Sequence, residues 1–588
     1  MKTATAEYRN SMAGLLRNRS YVKVTVSEVD VDAAWDGTIT DTGHCDWSEN
    51  VTLNYDYEYG RTVATLEKNR WTLDGNTKVV PWDEPANDGW ISSLYTDAAG
   101  ELPSSVVLTR TFTEAHDFLG LSFIFDSRTQ EWPVSFVLTL FNGDTVLETR
   151  TVYPDGAFVE VSGPFDGVTK FTIAWGNGLP QRRPRLERII YGITKTFTGE
   201  EIVSTEQAHD IDPLARRLPS ETLKFTILDY ENEYDPDNPE GVYRYIDANS
   251  PVKIAHGYEL DDGRVEWLVG DSYSLNGKPE TKDHKATFSA VGLLGTMNAN
   301  YYKGAHGNKS FYDMAVAVLQ DAGLRPVAEG VDAWLIDDSL RDLYTTAVLP
   351  IATHKNCLQL IAHACCCRLF TDDQNVIHIE PFDLTTIDNE PYVLDFDTVI
   401  DRTQALSKID TLKEIAVSKA VYASEGDSTV IYTETTTKEA LHVEFGGLKD
   451  NVAITVTGGT VISSNIYGRA ADIVLSSGTK TVRITGRNVS ESTVILSYPV
   501  ANEGAVDQET NPLITSDTMA DALAAHVQAW LQYRSTYDLQ YRGDPVLETG
   551  DKVELQTQYS EALDGLVLTN NLTFNGALRG AVKVKALT

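Results

Sequence analysis

Tyr21-Val22-Lys23-Val24-Thr25-Val26 alternates apolar and polar side chains without a break. Successive side chains of a strand leave on opposite faces, so this hexamer has one face for a core and one for water. Phe136-Val137-Leu138-Thr139-Leu140 and Val482-Arg483-Ile484-Thr485 repeat the pattern far along the chain. Gly, Asp and Asn turns bound such runs, which predicts antiparallel sheets. Residues 71–192 read as a series of these strands with no helical period, from Trp71-Thr72-Leu73-Asp74-Gly75 to Leu186-Glu187-Arg188-Ile189-Ile190-Tyr191-Gly192. That length suits one two-sheet sandwich. Residues 430–500, rich in Thr, Ser and Gly, predict a second, smaller β insertion.

Three helices stand out against this background. Ser310 caps the first, with Asp313 as its capping-box partner. Phe311, Met314, Ala315, Val318, Leu319 and Ala322 form one stripe, and Gly323 ends it. Thr353 caps the second, which sets Leu358, Ile361, Ala362, Cys365 and Leu369 on one face. A polar turn, Asp372-Asp373-Gln374-Asn375, then leads into the strand Val376-Ile377-His378-Ile379. The third follows Ser516, carries Met519, Leu523, Val527, Trp530 and Leu531, and feeds the strand Tyr537-Asp538-Leu539-Gln540-Tyr541. The fold class is therefore mainly β and multidomain, with a small α+β part.

At 588 residues the chain exceeds what one core serves, and roughly three to five domains are expected. The 85 acids outnumber 49 bases, for a net charge of −36. Such a surface repels phosphate backbones and argues against specific nucleic-acid binding. The five cysteines, three of them consecutive at Cys365, Cys366 and Cys367, make no disulfide framework and point to synthesis in a reducing cytoplasm. The opening residues lack the apolar core of a signal peptide, and no stretch reaches the ~20 apolar residues of a membrane span.

Several motifs invite chemistry and read better as structure. Tyr234-Asp235-Pro236-Asp237-Asn238-Pro239-Glu240-Gly241 is rich in oxygen ligands, but its spacing fits no EF-hand and predicts a turn. His363 beside Cys365, Cys366 and Cys367 lacks a second ligand pair, so the cysteines are expected to pack a helix. Arg542-Gly543-Asp544 before Pro545 reads as a tight turn. No spacing singles out a carboxylate pair, and no nucleophile, phosphate-loop or metalloprotease motif occurs. Neither an enzyme nor a cofactor is expected. Five tryptophans, Trp71, Trp82, Trp90, Trp132 and Trp175, gather in 71–192. Trp71 and Trp175 lie in strand patterns and are expected in the core. Trp82, Trp90 and Trp132 lie in Pro-, Asp- and Gly-rich loops, where an indole can stack on the apolar face of a sugar ring.

Other stretches carry a resemblance. Glu7-Tyr8-Arg9 with Arg17-Asn18-Arg19-Ser20-Tyr21-Val22-Lys23-Val24, Leu223-Lys224-Phe225-Thr226-Ile227-Leu228-Asp229-Tyr230, Asn356-Cys357-Leu358-Gln359-Leu360-Ile361-Ala362, Tyr541-Arg542-Gly543-Asp544-Pro545 and Asn571-Leu572-Thr573-Phe574-Asn575-Gly576 follow one another in an order that resembles tail-tip hub proteins of phages and prophages of Gram-positive bacteria. The resemblance implies tail-tube-like β-barrels at 1–70 with 193–300, and at 396–429 with 501–588. An α+β domain would occupy 301–395, a galactose-binding-like sandwich 71–192 and a small β insertion 430–500. It implies a virion tail-tip location and a homotrimer closing the tube, beside tail-tube, distal tail, tape-measure and receptor-binding proteins. The acidic wall would let DNA pass, and Trp82, Trp90 and Trp132 would contact host cell-wall glycan. No peptidoglycan-degrading domain is expected after the closing domain. Two alternatives stay open: a distal tail protein forming a hexameric ring with glycan-binding decorations, and a glycan- or cell-wall-degrading enzyme. A secreted adhesin is disfavoured by the missing signal peptide.

Overall fold

Ser20–Val29 lies between two antiparallel neighbours, Gly192–Thr198 and Pro251–Glu259. Its alternation is satisfied there, with Val22, Val24 and Val26 all buried. The computed structural model describes residues 1–14, 17–44, 67, 90–125, 131–324, 333–373, 375–382, 391–400, 405–408, 411–560 and 562–587. From Gly192–Thr198 the sheet runs through Ser20–Val29, Pro251–Glu259, Asp271–Leu275, Lys285–Val291 and Ser220–Leu228 to Ile202–Asp210. Inward side chains from all of these strands, among them Val24, Phe197, Ile202, Phe225, Ile254 and Tyr273, meet in one core. The sheet therefore curls round on itself. Phe225 and Phe288 face each other across the ladder and stack with centroids 4.8 Å apart.

The sheet does not end at Ile202–Asp210. Thr205 to Asp210 pair antiparallel with Phe574 to Thr569. The ladder continues through Leu563–Phe574, Leu578–Leu587 and Tyr533–Tyr541 to Ala405–Lys408. This second part wraps its own core of Leu394, Tyr541, Leu555, Val567, Val582 and Val584. The N-terminal helix Ala6–Ala13 straps the two parts together. Tyr8 and Met12 pack on Tyr258, Leu260 and Leu268 of the first part and Val546 of the second.

The three helices share a third core. Ser310 Oγ accepts from the Asp313 amide (3.1 Å) and opens Phe311–Asp321, and Thr353 Oγ1 accepts from the Asn356 amide (3.4 Å) and opens His354–Ala364. Asp517–Trp530, capped by Ser516, buries Leu523, Val527 and Trp530 against the same cluster. One expectation needs correcting. The second helix stops at Ala364, Cys366 turns to φ 57°, and Cys367–Thr371 is a strand paired with Ile377–Pro381. Leu369 thus reaches the core from a strand, because the β-ladder captures the segment before another helical turn forms.

Both insertions depart from strands. The chain leaves the first sheet after Val29 and returns to it at Gly192, paired residues of one ladder, and Thr38–Asp41, expected with the first sheet, pairs with Val107–Ile124 in the insertion instead. Its main sheet orders Thr38–Asp41, Val107–Ile124, Phe158–Trp175, Phe136–Asn142 and Thr145–Val152 over a core of Phe118, Phe123, Phe136 and Phe171. Leu412–Thr436 and Lys480–Pro499 form a long ribbon. Its outer half faces Ala440–Glu444, Ala470–Leu475 and Val461–Ile466 across Val443, Ile473, Val482 and Ile484. The protein is mainly β and multidomain. Among the described residues, no helix is long and apolar enough to cross a membrane.

The Phe225–Phe288 stack sets a first expectation. Phe288, 1% exposed, is expected on conversion to Ala to cost about 3–5 kcal/mol. Urea unfolding followed by tyrosine fluorescence should show the transition at clearly lower denaturant. An unchanged midpoint would mean that this core does not carry the first sheet's stability.

Candidate functional site

The sandwich tryptophans come out differently from one another. Trp90 is fully buried, paired with Leu186 in a short ladder, and its ring lies 4.8 Å from Trp175. Its indole N–H donates to Asp41 at 2.9 Å. The ring expected in a solvent-facing loop is therefore core, because its one polar atom is satisfied inside and the rest is apolar. Trp175, expected in the core, is 8% exposed. Trp71 and Trp82 lie outside the described residues. Trp132 is half-buried, with one side on the core and its remaining surface at a cleft shared with Thr96, Trp175, Leu179, Arg182 and Arg183.

Hydrogen bonds fix this cleft. Thr96 Oγ1 donates to the Leu179 carbonyl (2.5 Å) and accepts from the Arg182 amide (2.9 Å), holding the returning loop against the sheet. Arg182 Nε donates to Glu131 at 2.9 Å, and Arg185 pairs with Glu67. Arg183 donates through Nη1 to the carbonyls of Ser92 (2.9 Å) and Ser93 (2.6 Å), with its guanidinium 3.7 Å above the Tyr95 ring. The tryptophan count pointed to this region but not to the arginines. Their signal was the run Arg182-Arg183-Pro184-Arg185 in an otherwise acidic chain.

The junction between the insertion and the first sheet is crowded and polar. A Cβ on Gly192 would sit 2.1 Å from the Glu28 carbonyl oxygen, so the ladder closes there only with glycine. His116 bridges Asp30 (Nδ1, 2.7 Å) and Asp36 (Nε2, 3.0 Å). Burial opposes the imidazolium, but the two carboxylates outweigh it and hold His116 above its ordinary pKa. Glu28 is 2% exposed and accepts from the Tyr234 hydroxyl at 2.9 Å. Burial raises its carboxyl from 4.5 to about 7.

A larger cavity of about 870 Å³ lies where the first sheet, the α+β part and the closing strands meet. Asp210, Glu221, Asp271, Asp372, Glu548 and Asp551 line it, facing Lys2 and Arg368. Its floor is a buried network. Lys2 and Gln207 both donate to Asp271, His209 lies 2.5 Å from the Tyr273 hydroxyl, and His256 lies 2.9 Å from Gln207. Burial lowers His256 to about 4 and raises Glu221 to about 8. Burial also opposes the Asp271 charge, but Lys2 and His209 outweigh it and bring that carboxyl to about 2. This pairing ties the N-terminal segment to the first sheet.

The remaining motifs are structural. Asp229 accepts from the amides of Glu233 and Tyr234, and Asp235 and Asn238 close turns two residues on. Asp544 is 3% exposed and accepts from Tyr8, Tyr392 and the Val546 amide, which locks the turn at Arg542-Gly543-Asp544 beneath the N-terminal strap. His363 faces Glu509 (3.1 Å) and Asn511 (3.0 Å), and burial pushes the Cys357 and Cys366 thiols up to about 12. Among the described residues, no group of three or more His, Cys, Asp or Glu side chains is placed to hold a metal ion.

No family model matches the sequence, and no curated protein does. Solved structures show a faint likeness. A tail protein from Neisseria meningitidis MC58 is 7% identical at a TM-score of 0.37, over 66% of this chain and 93% of that one. The 43 kDa tail protein of prophage MuSo2 from Shewanella oneidensis is 10% identical at 0.36, over 66% and 94%. A prophage tail protein from Listeria monocytogenes EGD-e is 7% identical at 0.36, over 66% and 91%. Values this low do not establish a shared fold.

The junction titrates. A carboxyl whose folded pKa lies above its unfolded value stabilises fully below the unfolded pKa and loses that contribution as pH rises through the folded one. Glu28 therefore weakens the first sheet at the foot of the insertion between about pH 4.5 and pH 7, and His116, just inside the insertion, acts in the same direction above its unfolded value. Glu28→Gln keeps an acceptor for Tyr234 and removes the ionisation. It should gain a few kcal/mol at about pH 8 and nothing at about pH 4, read by urea unfolding. An equal effect at both pH values would contradict the assignment.

Proposed function

We propose that the chain is a structural component of a phage tail tip, a hub whose two curled sheets stack on the tail tube and whose sandwich reaches the host surface. The observation that carries this reading is the ladder between Thr205–Asp210 and Thr569–Phe574, which makes the two β parts one body. The ordered sequence resemblance to tail hubs supports it too. Residues of that resemblance hold the body together: Tyr8 and Asp544 form the strap, and Phe225 and Phe574 belong to the first core.

In this reading the copies form a closed ring, three in number, at the leading end of the virion, in contact with other tail proteins. The net charge of −36 suits a lumen through which DNA slides without sticking. The sandwich makes weak contacts to host carbohydrate through Trp132, and repetition around the ring raises effective affinity by about 10²–10⁴. The role is geometric rather than catalytic.

Because Val29 and Gly192 are paired neighbours, replacing residues 30–191 by a two-residue Asn-Gly turn should close the hairpin. Phage carrying this deletion are expected to assemble complete tails and to adsorb poorly, measured by electron microscopy and by free-phage counts after mixing with host cells. Failure to assemble would make the sandwich part of the ring, and normal adsorption would remove it from attachment.

A further inference from the structure

The sandwich cleft gathers arginines in an otherwise acidic chain. The chain carries −36 overall, yet Arg182, Arg183 and Arg185 all line this one cleft. Glu131 matches Arg182 and Glu67 matches Arg185. Arg183 meets Glu67 only through its backbone amide, at 2.6 Å, and its guanidinium makes no ion pair among the described residues: Nη1 rests on two backbone carbonyls, the plane lies over Tyr95, and Nε is buried without a partner. Apolar surface surrounds this charge. Trp132 and Trp175 form the inner wall, and Tyr95, Val134 and Leu179 stand 41%, 55% and 41% exposed.

A guanidinium presents a planar fork that suits carboxylate and phosphate oxygens, and a site beside aromatic rings excludes the water that would weaken the bond. Aromatic faces in turn accept the CH face of a sugar ring. A neutral sugar would use the rings and leave the uncompensated charge idle. We propose that this cleft binds a saccharide bearing a carboxylate or phosphate, with Trp132 and Tyr95 receiving the apolar ring face and Arg183 the anion. The proposal rests on the reading of the sandwich as the carbohydrate-facing part of the chain, and it adds the class of sugar.

The test is isothermal titration of the full chain with an oligogalacturonate, a glycerol-phosphate oligomer, a neutral galactan oligomer of equal length and a glutamate-rich peptide. At least one anionic oligomer should bind about tenfold or more tighter than the neutral one, and comparing the two identifies the anion. Arg183→Gln should erase that preference while the weak neutral binding persists, Arg183→Lys should retain part of it, and Trp132→Ala should weaken every saccharide. The Lys variant keeps the test valid if the Gln variant proves misfolded by thermal melting. Equal binding of neutral and anionic oligomers would overturn the proposal and leave the carbohydrate reading standing. Binding of no saccharide would overturn both, and tighter binding of the peptide would reassign the cleft to a protein partner.

Discussion

Six residue pairs hold the architecture together. Thr205 to Asp210 donate and accept along one edge to Ser220–Leu228 and along the other to Phe574 through Thr569. A strand used on both edges cannot belong to one barrel alone, so the two β parts cannot turn about each other without breaking a ladder. Buried backbone groups left unpaired there would each cost about 1–3 kcal/mol. The N-terminal strap reinforces the joint from outside. Arg17 donates to the carbonyls of Arg542 and Gly543, and Arg542 returns a bond to Gly14. A body built this way resists shear between its two parts.

The insertions obey the opposite rule. The sandwich hangs from a single hairpin whose two ends are neighbours, so it can be large without disturbing the ladder that bears it. The side-chain contacts that cross to the first part are polar: the Tyr245 hydroxyl donates to Asp166 at 3.1 Å, and Arg244 pairs with the same carboxylate at 3.4 Å. The small β insertion sits at the end of a ribbon whose inner half covers the helical core with Ile415 and Val417. It touches the α+β part again through Tyr302, whose hydroxyl donates to Asp472 at 3.2 Å. Rigid parts and appended parts are thus distinguished by how many ladders they share with the rest.

Much of this was legible in the chain. Alternation in Tyr21-Val22-Lys23-Val24-Thr25-Val26 placed a strand with one buried face, and Ser310, Thr353 and Ser516 marked three helix starts by cap chemistry alone. What escaped depends on distance in sequence. Nothing local tells residue 205 that its partner is residue 574, and Leu369 kept a helical spacing although a ladder with Ile377–Pro381 claims its segment. The site divided the same way. Trp90 and Trp132 share a Pro-, Asp- and Gly-rich sequence setting, and only the tertiary fold decides that one enters a ladder and faces Trp175 while the other faces a cleft. The run Arg182-Arg183-Pro184-Arg185 went unread, and that the Arg183 guanidinium makes no described ion pair depends on where Glu131 and Glu67 fall.

Hydrogen exchange of the full chain tests the shared ladder most directly. Amides of Thr205–Asp210 and Thr569–Phe574 should exchange as slowly as those inside either β part, and should open together with them in a single cooperative step as denaturant is raised. If 569–574 exchange fast, or open well before 205–210 do, the two β parts are separate bodies and the shared ladder does not make them one.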